Sequence, residues 1–370
     1  MMAPPAPFSG SYAGEDVQFL LKPIAIENTP LHVKEALIQS GQKHYSEMLS
    51  REPLPSEDYV RLFYRALELN GMRMAGHLWH LAERIKATRP HGIVLVSLAR
   101  AGTPIGVLLK HVLKRYFGVE APHYSVSIVR DFGIDRNALR YILQRHAPRE
   151  LTFIDGWTAK GVIARELATS LQQFADEYGV DVPAELYVLA DLSGEASVAA
   201  SSEDYLIPSC LLNATVSGLI SRTVFNRHPA HAGDFHGCYF YREFSRHDFS
   251  NYFIARILHY VEQIRLEGNE AGCSLSPVPA EQLKAQSRQW LERIGRHYGV
   301  GNSHYIKPGI GESTRVLLRR EAGLLLLKDL HSESTRHLHW LATAKNVPIE
   351  LADDLPYRAA ALIKEVTLSP

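Results

Sequence analysis

The chain reads as an α/β protein, with a mostly parallel sheet and flanking helices over residues 15–266, then a small α/β/α sandwich over 281–370. Three observations predict this. Between 93 and about 225, short apolar runs (93–96, 124–129, 151–154, 186–190 and 205–207) alternate with helical patterns (104–116, 136–145 and 161–178), as parallel strands with crossover helices do. Two of those runs enter small-residue turns that open helices, the build of a phosphate cradle. The stretch 267–280, with Gly268, Gly272, Pro277 and Pro279, then breaks the pattern and predicts a linker.

The elements follow in order. Residues 1–14 are rich in Pro, Gly and Ser and predict a mobile arm, with order beginning near Val17. Segments 31–50 and 57–88 carry apolar residues at helical spacing, for example Leu62, Ala66 and Leu69, then Leu78, Leu81 and Ile85. A further amphipathic helix is expected over 252–265. Beyond the linker the pattern predicts helices at 281–298, 311–320, 334–345 and 356–365, and strands at 324–328 and 347–351.

Composition bounds the function. Lys+Arg and Asp+Glu both number 40, so no global field favours nucleic acid or membrane, and RNA contact has to come from a local patch. Apolar runs such as 92–96 and 323–327 are far shorter than the roughly 20 residues that span a bilayer, and no basic-then-apolar leader is present, which predicts a cytosolic protein without a membrane partner. Cys210, Cys238 and Cys273 are odd in number and lack CxxC spacing, and no HExxH occurs, so neither a disulfide framework nor a metal-ligand set is predicted.

The site is expected at the two turns. One apolar run ends at Asp155 and continues Gly156-Trp157-Thr158-Ala159-Lys160-Gly161, where helix-start N–H groups can hold a phosphate and Asp155 can take ribose hydroxyls or a Mg²⁺. The other runs through Ser97-Leu98-Ala99-Arg100-Ala101-Gly102-Thr103-Pro104. Two such turns suggest one polyphosphorylated ligand; ordinary strand-to-helix turns account for the same residues without one. Between them, 125–135 offers Arg130 and Asp135 as contacts, or Asp135 as the cap of a helix from 136. Residues 213–222, small and polar with a terminal Arg222, suit the lining of an acceptor pocket or a helix cap and turn.

Residues 98–102 resemble the diphosphate-binding loop of type I phosphoribosyltransferases, and 154–161 resemble their loop for phosphoribosyl diphosphate (PRPP). Through Gly10-Ser11-Tyr12, His44-Tyr45-Ser46-Glu47, 97–106, Asp155-Gly156-Trp157-Thr158, 213–222 and 307–320, the chain is similar to a bacterial family of tellurite- and stress-resistance gene neighbourhoods. That family joins a divergent phosphoribosyltransferase domain to a pelota-type RNA-binding domain and carries the label cysteine protease StiP. The resemblance implies a type I phosphoribosyltransferase-like fold and PRPP-dependent, Mg²⁺-assisted transfer to, or release from, a base, metabolite or RNA acceptor, with no organic cofactor. It implies Arg100, Ala101, Gly102 and Thr103 on the diphosphate, Asp155 on the ribose, Gly156, Thr158, Ala159, Lys160 and Gly161 on the 5′-phosphate, and Arg130 from a closing hood. Gly156 stands where the familiar enzymes have a second acid, and bulky Trp157 is a second departure. Expected partners are PRPP or a ribosyl phosphate, RNA through the C-terminal domain, and a second copy of the chain.

Gly309-Ile310-Gly311-Glu312-Ser313-Thr314-Arg315 resembles the Gly-x-Asn-Glu-x-Thr-Lys motif of kink-turn RNA-binding proteins, which implies Lys307, Gly311, Glu312 and Arg315 as RNA contacts, with Gly311 replacing the Asn. Residues 281–320 hold eight Lys/Arg against three Glu, a count that a solvated helix face also produces. Two other classes stand beside transfer. One is a cysteine protease with Cys210, His236 and Asp234, which requires a lowered thiol pKa; a lone Cys in apolar context is otherwise a packing residue. The other is a non-catalytic regulator that binds a ribonucleotide and RNA.

Overall fold

The computed structural model describes residues 5–225, 233–268 and 278–364. Its first part runs β1 (Gln18–Leu20), β2 (Lys22–Pro23), α1 (Leu31–Gln39), α2 (Glu57–Thr88), β3 (Val94–Leu98), α3 (Gly102–Phe117), β4 (His123–Val126), β5 (Ile128–Val129) and β6 (Gly133–Ile134). It continues with α4 (Arg136–Leu143), β7 (Leu151–Thr158), α5 (Val162–Tyr178), β8 (Leu186–Asp191), β9 (Val198–Ala199), β10 (Gly237–Cys238) and α6 (Ser250–Leu266). Strands β1-β4-β3-β7-β8-β9 form one sheet in that order, and every pairing in it is parallel.

Side-chain alternation explains the two helical layers. Val94, Val96 and Leu98 of β3 point to the face covered by Leu139 and Ile142 of α4 and Leu167 and Leu171 of α5, whereas Leu95 points to the face covered by α2, α3 and α6. Both faces are buried, so these strands read as continuous apolar runs. α2 starts where expected because Ser56 Oγ accepts the Tyr59 N–H at 3.3 Å and Glu57 and Asp58 occupy its first turn. β4 and β7 lie on opposite sides of β3, so the carboxyl ends of β3 and β7 flank the place where sheets of this kind open a crevice.

The second part comprises α7 (Ala280–His297), β11 (Ile306–Pro308), α8 (Ile310–Arg319), β12 (Ala322–Leu327), α9 (Arg336–Ala344), β13 (Ile349–Leu351) and β14 (Ala359–Ile363). Its four strands lie in the order β11-β14-β12-β13. One hydrophobic cluster joins the two parts, with Trp157, Tyr205, Ile207 and Cys210 packed in continuity with Ile310, Val316, Leu317 and Leu338.

Several expectations are corrected. Residues 5–14 are not a free arm: Phe8 bridges to Phe19, and the buried Tyr12 hydroxyl donates to the Val216 carbonyl at 3.0 Å, because two aromatic rings find cover against Phe19. Residues 1–4 lie outside the described set, as do 269–277 of the expected linker. The strand expected over 151–154 continues to Thr158, since β8 supplies partners for Asp155, Trp157 and Thr158. Residues 205–207 form no strand but enter a buried 3-10 turn at Pro208–Cys210. The helix expected at 356–365 is instead strand β14, held between β11 and β12 with all five residues buried, and this pairing overrides the helical propensity of Ala359-Ala360-Ala361.

Gly102 is required by packing. A Cβ there would collide with the Ile154 carbonyl of β7. Gly102→Ala is therefore expected to lower unfolding free energy in urea by about 1–3 kcal/mol, the usual range for overpacking, with an unchanged m-value.

Candidate functional site

A cavity of about 330 Å³ lies between the two parts, beside the carboxyl end of β7. Lys34, Tyr45, Arg130, Asp155, Thr158, Lys160 and Arg222 line it from the first part, and His304, Lys307, Glu312, Arg315, Arg319 and Arg320 from the second. Ile38, Trp157, Val162, Ile163 and Val316 complete the wall with apolar surface. Eight Lys or Arg side chains thus face one space with two carboxylates, a strongly positive pocket in a chain of zero net charge.

Most of these cations are held in place. At the tip of the β5–β6 hairpin the Arg130 N–H donates to the Tyr45 hydroxyl at 3.0 Å, its Nε donates to Asp131 at 3.1 Å, and its guanidinium lies 5.2 Å from the Tyr45 ring centre. Lys160, in the turn after β7, reaches across to the second part and donates to the carbonyls of Ser303 at 2.5 Å and Ile306 at 3.3 Å. Arg315 bonds Glu312 at 2.6 Å and lies 4.3 Å over the Trp157 ring. Arg320 forks onto Glu35, with one arm at 2.7 Å. Arg319 donates to Asn213 Oδ1, while its Nε is buried without a partner. Among the described residues, Lys34, Lys160, Arg222, Lys307 and Arg319 have no ion-pair partner, whereas Arg130, Arg315 and Arg320 do.

Crowding and burial shift these groups. Burial first, then neighbouring Lys307, pulls Lys160 from its ordinary 10.5 to about 7. Burial and then Arg222 pull Lys34 down to about 8, and burial with Arg100 nearby brings Arg222 to about 10. Lys307 is lowered as well, again chiefly by burial. Burial raises the Asp155 carboxyl to about 6 against the pull of Arg315. Crowded, part-buried like charges disfavour one another, and an anion entering the cavity would relieve that repulsion.

Residues 10–258 match the family described as tellurite-like stress resistance cysteine protease StiP. The chain belongs to this family. Residues 285–365 match the PELOTA RNA binding domain. A relative from Acinetobacter baylyi, named cysteine protease StiP, is 40% identical over 370 residues, covering 97% of this chain and 95% of its own. These findings overturn the expectation of PRPP-dependent phosphoribosyl transfer: the family description and the relative's name both state a cysteine protease, and neither mentions such transfer.

In this StiP-family chain the residues expected for the two loops divide. Asp155, Thr158, Ala159 and Lys160 line the cavity together with Arg130, Lys307, Glu312 and Arg315. Gly156 N–H, within β7, donates to its neighbour Asp155 at 2.7 Å, and Gly161 N–H, in the turn after it, to Thr158 Oγ1 at 3.0 Å, so both amides are used locally. Arg100, expected on a diphosphate, instead pairs with buried Glu52 and donates to the Ile220 carbonyl at 2.7 Å. Ala101 and Gly102 pack on β7, and Thr103 Oγ1 bonds Ser125 Oγ at 2.7 Å. Asp135 caps α4 through the N–H groups of Asn137 and Ala138. Gly311, expected to face RNA, abuts the Trp157 indole.

Protease chemistry needs an accessible thiol of low pKa. Cys210 is buried against α8, its Sγ 4.0 Å from Thr314 Oγ1, and burial pushes it up to about 12. Cys238 is also buried, its thiol raised to about 12. Cys273 lies outside the described residues. The trio expected as an alternative is not assembled at Cys210: His236 Nδ1 bonds Ser127 Oγ at 2.8 Å, and Asp234 pairs with Lys22 at 2.5 Å. The imidazole near Cys210 is instead His337, whose Nε2 lies 2.8 Å from Thr314 Oγ1; no motif marked it. Lys34 and His304 were equally invisible, because α1 and the turn at 303–305 reach the cavity only through tertiary packing. Among the described residues no group of three or more His, Cys, Asp or Glu is placed to hold a metal, and no helix is long and apolar enough to cross a membrane.

The lysines set a pH dependence. Lys34 and Lys160 have folded pKa values below 10.5, so between about 7 and 10.5 the unfolded chain binds more protons and stability rises with pH. Thermal melts at low salt should show the transition moving up from pH 7 to 9, and Lys160→Gln should flatten that slope.

Proposed function

We propose that this StiP-family chain serves stress resistance by binding a phosphorylated ligand, either a ribonucleotide or the phosphates of an RNA, in the cavity between its two parts. The observation that carries this reading is the set of eight Lys and Arg side chains facing two carboxylates in one cavity. Phosphate oxygens suit such a set, because guanidinium forks donate to them bidentately and ammonium groups add point charge. The match to an RNA-binding domain over residues 285–365, which supplies half of those cations, supports it.

A second reading, cysteine protease, is favoured by the name of the Acinetobacter baylyi relative and by the contact chain Cys210–Thr314–His337. It requires α8 to leave Cys210, since a neutral thiol sealed in the core is a poor nucleophile. Burial also lowers His337 to about 3, which leaves the imidazole uncharged, and burial of the thiol outweighs the pull of Arg315 on it.

Calorimetric titration of the whole chain with ribonucleoside triphosphates and with short RNA should give heat that weakens steeply with added salt and by roughly tenfold in Lys160→Gln. Absence of heat at millimolar ligand with every phosphate-bearing probe defeats the reading. In native protein Cys210 should resist iodoacetamide, and Cys210→Ala should leave ligand binding intact. Rapid labelling of Cys210, together with peptide cleavage lost in Cys210→Ala, would establish the protease instead.

A further inference from the structure

Building on the phosphate-binding reading, we infer that the ligand is a compact nucleoside polyphosphate gripped by both parts of the chain at once, rather than an extended or helical RNA. The basic face of α8 is turned inward. Gly311 lies on the Trp157 indole, Thr314 on Cys210, Arg319 on Asn213 and Arg320 on Glu35, so much of this face is taken up by the first part, and the other expected RNA contacts, Lys307, Glu312 and Arg315, line the shared cavity. RNA duplexes are recognised over long stretches of minor groove, which a cavity of about 330 Å³ does not offer. That volume falls instead in the range of small-ligand pockets, roughly 300–1,000 Å³.

The distribution of charge and apolar surface narrows the class. Lys160 and Arg130 come from the first part and Lys307 from the second, and they converge on one space, as a chain of two or three phosphates requires. Ile163 and Val316 give the same cavity an apolar wall that inorganic polyphosphate has no means to use and a nucleoside does. Lys307 is the discriminating residue, because it belongs to β11, lines the cavity and has no ion-pair partner among the described residues.

The test is titration of the full chain with adenosine triphosphate, guanosine triphosphate, inorganic triphosphate and a blunt RNA duplex, repeated on Lys160→Gln, Lys307→Gln and Lys307→Arg. A nucleoside triphosphate is expected to bind most tightly and to lose roughly tenfold in each Gln variant, with Lys307→Arg restoring most of the affinity and showing that the loss is not misfolding. Nucleotide affinity that is unchanged in Lys307→Gln but lost in Lys160→Gln overturns the two-sided grip while leaving phosphate binding standing. Inorganic triphosphate binding as tightly as the nucleotides overturns the nucleoside, and RNA duplex outcompeting them overturns the compact ligand. If no probe binds, the parent reading fails and this inference with it.

Discussion

The contact on which the arrangement depends is the seating of α8 at the end of β7. Asp204, from the first part, accepts the Ile310 N–H at 2.9 Å and the Arg358 N–H at 2.7 Å, so one carboxylate satisfies an orphan donor at the start of α8 and fastens the approach to β14. Gly311 then permits the helix to rest on Trp157, and Val316 and Leu317 bury into the shared cluster. The cavity is a by-product of this seating. Its floor is the β7 turn, its roof is α8 and β11, and its charge is the sum of side chains that neither part would bring together alone.

Confinement of like charge and the covered α8 face are two sides of the same geometry. Docking through apolar contacts at Trp157, Ile207 and Leu317 is strong enough to hold the cations near one another, and Glu35 and Glu52 neutralise those at the margin, Arg320 and Arg100. Of the inner cations, Arg130 and Arg315 are paired with Asp131 and Glu312, while Lys160 and Lys34 hold their protons less firmly than free lysines. Anion binding and proton uptake are then coupled, since an entering phosphate favours the protonated lysines.

Much of the first sheet was legible because its strands are buried on both faces and alternate with helices, a pattern that survives without tertiary knowledge. β7 and β14 show where legibility ends. The polar break at Asp155-Gly156 reads as a turn, yet β8 provides a ladder that carries the strand past it. Ala359-Ala360-Ala361 reads as helix, yet two flanking strands claim it. For the candidate site, Asp155, Lys160, Arg130, Lys307 and Arg315, expected from the turn pattern and the resemblance, line the cavity, while Arg100 and Gly102 were expected on ligand and are engaged by Glu52 and Ile154. Nothing in a linear string reports that partner choice. Lys34 was missed for the same reason, being an unremarked helix residue that docking makes a wall.

The meeting of Trp157 and Gly311 has a consequence for variation. An indole and an empty position fill one volume between them, so the two sites behave as a single packing unit divided over distant stretches of sequence. Neither can be enlarged unless the other is trimmed, and a shrunken ring at 157 leaves a void directly beneath the arginine that leans on it.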